Sequence, residues 1–193
     1  MTAPIRIVSS KVLSKFWGTL TGYEIEYTRV DGTTQRLSRE AYDHGAAAAV
    51  LLYDETRDRV VLVKQFRFAT HIVGGPDFMI EVVAGMLDGD TPETCAQREA
   101  KEEAGVTLIE LRPAFAAFVS PGSITEKIDC FVGTYRGPVD NASGLGLHHE
   151  GEDIEVMELP FDEAFAMIGR GEIMDAKTIL LLQHLALSRR SAI

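Results

Sequence analysis

The segment "TPETCAQREAKEEAG", residues 91–105, constrains the fold more than any other stretch. Its punctuation is that of a helix: Thr91 is placed to cap the amino end, Pro92 sits at the first helical position, and Gly105 supplies the stop. At about 100° per residue, Ala96, Ala100 and Ala104 fall within about 80° of one another. A stripe of such small side chains suits close packing on a sheet. The flanking sequence supplies the strands. "AAAAVLLYD" and "RVVLVKQFRF" enclose the polar turn "ETRD", "FMIEVVAG" (78–85) ends on glycine, and "EKIDCFVGTYR" and "DIEVMELP" read as further strands. Helical patterns close the chain over roughly 161–170 and 175–190. Ahead of this, residues 5–39 alternate apolar and polar through "IRIV", "GYEIEYTRV" and "TQRLSRE", with "VDGT" as a hairpin turn between the last two. Phe66, Phe68, Phe115 and Phe118 fall on strand-like segments and are expected in the core. This order predicts an α/β fold with a mixed sheet.

The same helix raises an electrostatic question. Glu99, Glu102 and Glu103 lie three and four residues apart or adjacent, where like charges repel by roughly 0.2–0.5 kcal/mol per pair. With Ala96 at zero, Glu103 falls at about −20°, Glu99 at about −60° and Glu102 at about −120°. The acids therefore border the buried stripe, while Gln97, Arg98 and Lys101 project from the solvated back. Carboxylates held together and partly desolvated call for a cation, and a cluster of hard oxygens selects Mg²⁺, with Mn²⁺ the alternative.

Composition narrows the partners. The chain has 193 residues and a net charge of −10, so a duplex nucleic acid, which needs clustered Lys and Arg, is not expected as its main partner. A polyanionic small molecule fits if local cations or a metal offset the acid. "MTAPIRIVSS" lacks the pattern of a signal peptide, and the apolar run "AAAAVLLY" (46–53) is far shorter than a membrane span. Two cysteines, Cys95 and Cys130, make neither a disulfide framework nor a zinc site. A cytoplasmic location is the resulting expectation. The Gly-rich stretch 136–151, "RGPVDNASGLGLHHEG", is a long, weakly patterned loop of the kind that is often functional. Its His148 and His149 lack metal-ligand spacing and are read as solvated.

The stretch "AGMLDGDTPETCAQREAKEEAGV" (84–106) resembles the Nudix box, G-x5-E-x7-R-E-U-x-E-E-x-G-U with U aliphatic. Arg98, Glu99, Ala100, Glu102, Glu103, Gly105 and Val106 occupy the second half of that pattern. Thirteen residues separate Gly85 from Glu99, one fewer than the pattern has, and no Glu stands at the mid-box place. A box shortened in this way is similar to that of the GDP-mannose pyrophosphatase branch, relatives of the ADP-ribose pyrophosphatases. The resemblance extends along the chain through "YTRVDG", "SREAYDHG", "VLLYD", "KQFRFAT", "SPGSITE", "EDIEVMELPF" and "GEIMDAKT". It implies a Nudix α/β/α sandwich over 44–193 and a small antiparallel sheet over 1–43, exchanged between the subunits of a homodimer.

The resemblance also implies site residues. Mg²⁺ would be held by Glu99, Glu103, the carbonyl of Ala84 and Glu152. Substrate contacts would come from Trp17, Ser38, Arg39, Glu40, Arg67, the Ala84, Gly85 and Met86 backbone, Glu103, Glu126, Gly151, Glu152 and Lys177. Trp17 stands where the family has another aromatic, and Ser38 where it has a basic residue. Arg39 and Arg67 suit two-pronged phosphate contacts, and Lys177 adds a point charge. Glu152 and Glu126 are both candidate bases; a mobile loop that closes on substrate favours Glu152. The function implied is Mg²⁺-dependent hydrolysis of a nucleotide sugar, GDP-mannose giving GMP and mannose 1-phosphate. Two other readings stand beside it: an ADP-ribose pyrophosphatase, and a Nudix-like module that senses nucleotide without hydrolysis.

Overall fold

The computed structural model describes residues 4–140, 143–146, 151 and 153–191. Contacts divide the chain into two compact units, Met1–Ala46 with Phe118–Lys127, and Ala47–Ala117 with Ile128–Ile193.

The first unit is built on a three-stranded antiparallel sheet in the order β1 (Ile5–Lys15), β2 (Thr19–Thr28), β3 (Thr34–Asp43). The "VDGT" turn forms because Gly32 takes φ +83°, and the Asp31 carboxylate accepts the Thr33 N–H at 2.9 Å. The end of β3 is joined by the 118–127 segment: Tyr42 N–H donates to Ser123 O at 2.8 Å and Thr125 N–H to Tyr42 O at 3.0 Å. All eleven residues of β1 are exposed, Ile5, Ile7, Val12 and Leu13 among them.

The second unit holds the core. Its sheet runs β10 (Ser143–Leu145), β11 (Ile154–Pro160), β5 (Arg59–Phe66), β4 (Ala47–Asp54), β9 (Lys127–Thr134), β8 (Glu110–Phe118), and β4 pairs β9 in parallel. Every residue of β4 is buried, as expected of a strand covered on both faces. Alternate β4 residues serve opposite layers. Ala47, Ala49 and Leu51 pack with α3 (Phe161–Gly169) and α4 (Ala176–Ser191) through Phe161, Met167, Leu181 and Leu182. Ala48, Val50 and Leu52 pack with α2 (Pro92–Ala104) through Cys95, Ala96, Ala100 and Ala104. The result is a sheet between helical layers.

Helix α2 has the predicted caps. Thr91 Oγ1 accepts the Thr94 N–H, and Gly105 closes the helix at φ +66° with Val106 N–H donating to Ala100 O. The segment 78–85 differs from expectation. It is two strands, β6 (Phe78–Glu81) on β5 and β7 (Val83–Met86) on β4, broken at Val82. The break exists because the Val82 N–H leaves the ladder and donates to the Thr178 hydroxyl of α4 at 2.8 Å. A short helix, α1 (Phe68–His71), follows β5, and Phe66, Phe68 and Phe118 are exposed rather than in the core; Phe115 packs against it.

Candidate active site

Strand β7 pairs antiparallel with β4 in the sheet, with Ala84 opposite Ala49 and Gly85 opposite Ala48, and α2 packs on the sheet through its alanine stripe. Burial on α2 follows the angular order read from the sequence. Glu103 is 1% exposed, Glu99 8%, and Glu102 is half-buried. The Ala84 N–H donates to Glu103 Oε2 at 3.3 Å. Glu99 is pressed so close to β7 that a Cβ added at Gly85 would meet its Oε1 at 1.7 Å. Glycine is required here for close approach, and the two carboxylates share one patch of backbone.

Arg98 does not project into solvent as its angle suggested. Its long side chain turns along the helix, so that Nη1 lies 2.8 Å from Glu99 Oε1 and 2.9 Å from Glu102 Oε2. Its Nη2 donates to Met86 O at 3.2 Å, and Nε to Asp90 at 3.2 Å. Arg98 thus offsets part of the repulsion among the acids from outside the shared patch. Asp90, given no role in the sequence, supplies its second anchor.

A second cluster stands at the junction of β5, β6 and α4. The Arg67 Nε and Nη2 donate to the two oxygens of Glu81 at 2.7 and 3.0 Å, and Lys177 Nζ donates to Glu81 Oε2 and, at 2.9 Å, to Asp175. Burial pushes the Glu81 carboxyl up, but the charges of Lys177 and Arg67 and their hydrogen bonds outweigh it and hold it at about 2. Burial likewise disfavours the Lys177 ammonium, and Glu81 and Asp175 reverse the effect, keeping it charged. Arg67 also feels the charges of Glu103 and Asp175, which brings both clusters within electrostatic range. The sequence singles out Arg67 and Lys177 as candidates, and the structure adds Glu81 and Asp175 as their partners. The available signals were a lone acid inside the apolar strand "FMIEVV", and the Asp-x-x-Thr cap at the start of α4.

Neither cysteine is prepared for nucleophilic work, since burial pushes the Cys95 thiol to about 11 and the Cys130 thiol to about 12.

In the first unit, Trp17 is 70% exposed and stacks on His44 with ring centroids 4.9 Å apart. Gly18 permits this corner: a Cβ there would lie 2.7 Å from both the Tyr42 hydroxyl and the Asp43 carbonyl. Ser38, Arg39 and Glu40 lie exposed on β3 and help line a cleft of about 670 Å³, with the Ser38 hydroxyl donating to Glu24 at 2.5 Å. Glu126 is half-buried on the segment that joins β3. Gly151 is an exposed turn residue at φ +79°, while Glu152, like His148 and His149, lies outside the described residues.

Among the described residues no group of three or more His, Cys, Asp or Glu side chains is arranged to hold a metal ion. Two anionic oxygen donors nevertheless converge on a backbone cradle that a single Cβ would fill, which is the donor chemistry of a hard divalent cation. Glu99 and Glu103 fit such an ion. No described helix is long and apolar enough to cross a membrane.

A sheet between helical layers, with the acid-rich helix laid across a glycine strand, defines a Nudix domain, and the family described as NUDIX domain matches residues 43–182. The chain belongs to the Nudix hydrolases, a family that generally requires divalent metal ions. Residues 4–42 match the family described as GDP-mannose pyrophosphatase NudK N-terminal domain. Among curated proteins, the chain is 44% identical to a GDP-mannose pyrophosphatase of Klebsiella pneumoniae subsp. pneumoniae over 97% of its length and 94% of the relative's. It is 45% identical to the GDP-mannose pyrophosphatase of Salmonella arizonae over 97% and 98% of the two chains. A crystal structure of an ADP compounds hydrolase shares the fold, with a TM-score of 0.77 at 16% identity over 98% of this chain and 96% of that one.

Proposed function

We propose that this protein is a Mg²⁺-dependent nucleotide-sugar pyrophosphatase that hydrolyses GDP-mannose to GMP and mannose 1-phosphate. The observation that carries the chemistry is the pair of buried carboxylates, Glu99 and Glu103, held against Ala84 and Gly85. Similarity to GDP-mannose pyrophosphatases over nearly the whole chain, the amino-terminal sheet included, supports the substrate. The ADP compounds hydrolase shares only the fold, so no observation favours an adenine nucleotide.

In this reading Glu99, Glu103, the Ala84 carbonyl and Glu152 would hold the cation, which would supply charge neutralisation at the phosphates and Lewis acidity toward a phosphoryl oxygen. Arg67 and Lys177, which both donate to Glu81, face the pyrophosphate. Water forms a new bond to one phosphorus, the bridging phosphorus–oxygen bond breaks, and Glu152 takes the proton, with Glu126 the alternative base. Trp17 stacks on the base, and Arg39 and Glu40 contact the nucleotide with Ser38, whose hydroxyl offers less to an anion than a basic residue would. Gly151, Gly85 and Met86 supply backbone contacts. A homodimer formed through the amino-terminal sheet would cover the exposed Ile5, Ile7, Val12 and Leu13 of β1. The test is kcat/KM for GDP-mannose, GDP-glucose, ADP-ribose and ADP-glucose side by side at equal Mg²⁺. GDP-mannose should rank first; a higher value for ADP-ribose overturns the substrate assignment.

A further inference from the structure

Arg67, which follows β5 at the amino cap of α1, and Lys177, in the first turn of α4, meet on one carboxylate. That carboxylate, Glu81, is almost wholly buried, whereas Arg67 keeps 41% of its side chain exposed. The ion pair is thus anchored from beneath and open above. The two-pronged contact uses Arg67 Nε and Nη2 and leaves Nη1 without a hydrogen-bond partner among the described residues. Lys177 is held from two sides, by Glu81 and by Asp175. Asp175 in turn accepts the Thr178 N–H at 2.9 Å and the Thr178 hydroxyl at 2.6 Å, and that hydroxyl accepts the Val82 N–H at 2.8 Å. Val82 separates Glu81 from the Val83–Met86 strand on which Glu99 and Glu103 rest. One chain of bonds therefore fixes two cations to the backbone of the carboxylate site.

A stability role alone explains this poorly. Buried ion pairs seldom outdo an apolar replacement of similar volume, because desolvation offsets their attraction. Two cations fixed in one place instead remove the ordering cost that a flexible Arg and Lys would meet on binding a phosphate.

We infer that Glu81 is a positioning residue: it holds Arg67 and Lys177 as a preassembled clamp for the pyrophosphate of the substrate. The inference deepens the proposed function and rests on it for the identity of the ligand. A clamp that grips the phosphates equally in ground and transition states acts on KM more than on kcat. Glu81→Gln keeps the shape but puts an amide N–H₂ where a carboxylate oxygen stood, so Arg67 loses its two-pronged partner while Lys177 keeps Asp175.

The test is steady-state kinetics on GDP-mannose, with metal-free calorimetric binding of GDP as a readout independent of turnover. Glu81→Gln should raise KM and weaken GDP binding by about tenfold or more, with kcat changing less than about threefold. Glu81→Asp, which retains the charge, should recover part of the loss. In an Arg67→Ala background, where Lys177 stays anchored by Asp175, Glu81→Gln should cost less than about threefold. If Glu81→Gln does not fold, Arg67→Lys replaces it: the charge remains, the two-pronged contact goes, and KM should rise about tenfold. A KM within about twofold of wild type, or the same loss in both backgrounds, overturns the inference. Wild-type inactivity on every nucleotide sugar with GDP binding still weakened in Glu81→Gln would sink the functional reading and leave the clamp standing.

Discussion

Gly85→Ala separates fold from function with a single methyl group. The added Cβ would lie 1.7 Å from Glu99 Oε1, 2.2 Å from its Cδ and 2.8 Å from its Cγ. An ordinary contact needs about 3.5 Å, so the carboxylate must withdraw by roughly 2 Å. Its chain is flexible, so the withdrawal costs the fold mainly the 2.8 Å contact of Glu99 with Arg98. Gly85 also avoids the left-handed region, and Gly→Ala at a compatible position stabilises by about 0.4–1 kcal/mol through the unfolded state. The two effects nearly cancel, and the melting temperature without metal should move by only a few degrees, about 1 kcal/mol at most. The proposed cation site has no such tolerance, since ligand distances hold within about 0.2 Å. Assayed on GDP-mannose, kcat should therefore fall by about 10²-fold or more, and the melting shift produced by Mg²⁺ should vanish. Near-normal turnover would refute the reasoning, as would a large loss of stability in the absence of metal.

Two further outcomes follow from the structure. The Glu81 carboxyl is held at about 2, below its ordinary 4.5, so its stabilisation is complete above pH 4.5 and is lost as pH falls towards 2. The gap in unfolding free energy between wild type and Glu81→Gln, followed by circular dichroism, should shrink over that window by on the order of 3 kcal/mol; a constant gap contradicts the pairing. Sedimentation at micromolar concentration should give a dimer, and replacing the exposed Ile5 and Ile7 with Lys should give monomers; a wild-type monomer rules out the proposed interface.

Much of this architecture was legible in the sequence because its signals are local. Thr91, Pro92 and Gly105 punctuate α2 within the helix itself, and the apolar run of β4, bounded by the polar turn "ETRD", needs no knowledge of partners. The acids were legible for a related reason: angle on a helix is fixed by spacing, and burial of Glu103, Glu99 and Glu102 falls off in that order. What escaped depends on contacts distant in the chain. The strand break at Val82 needs a hydroxyl 96 residues away, and Glu81 meets Lys177 across the same interval. Arg98 was misplaced because an angle locates Cα and not the end of a long side chain. Phe66 and Phe68 read as strand residues of the core because "RVVLVKQFRF" looks like one continuous strand, but β5 ends at Phe66 and α1 begins at Phe68.

In the proposed function, Glu99 and Glu103 are buried side by side to hold a divalent cation against the pyrophosphate. Glu103→Gln tests it most directly, because it removes one charge and keeps the shape of a residue only 1% exposed. Two quantities are measured on this variant, kcat for GDP-mannose and the melting shift caused by Mg²⁺ plus GDP. The account predicts a fold as stable as wild type without metal, or slightly more so, a kcat lower by about 10²-fold, and a smaller metal-dependent shift. Near-normal turnover with an unchanged metal response would contradict it.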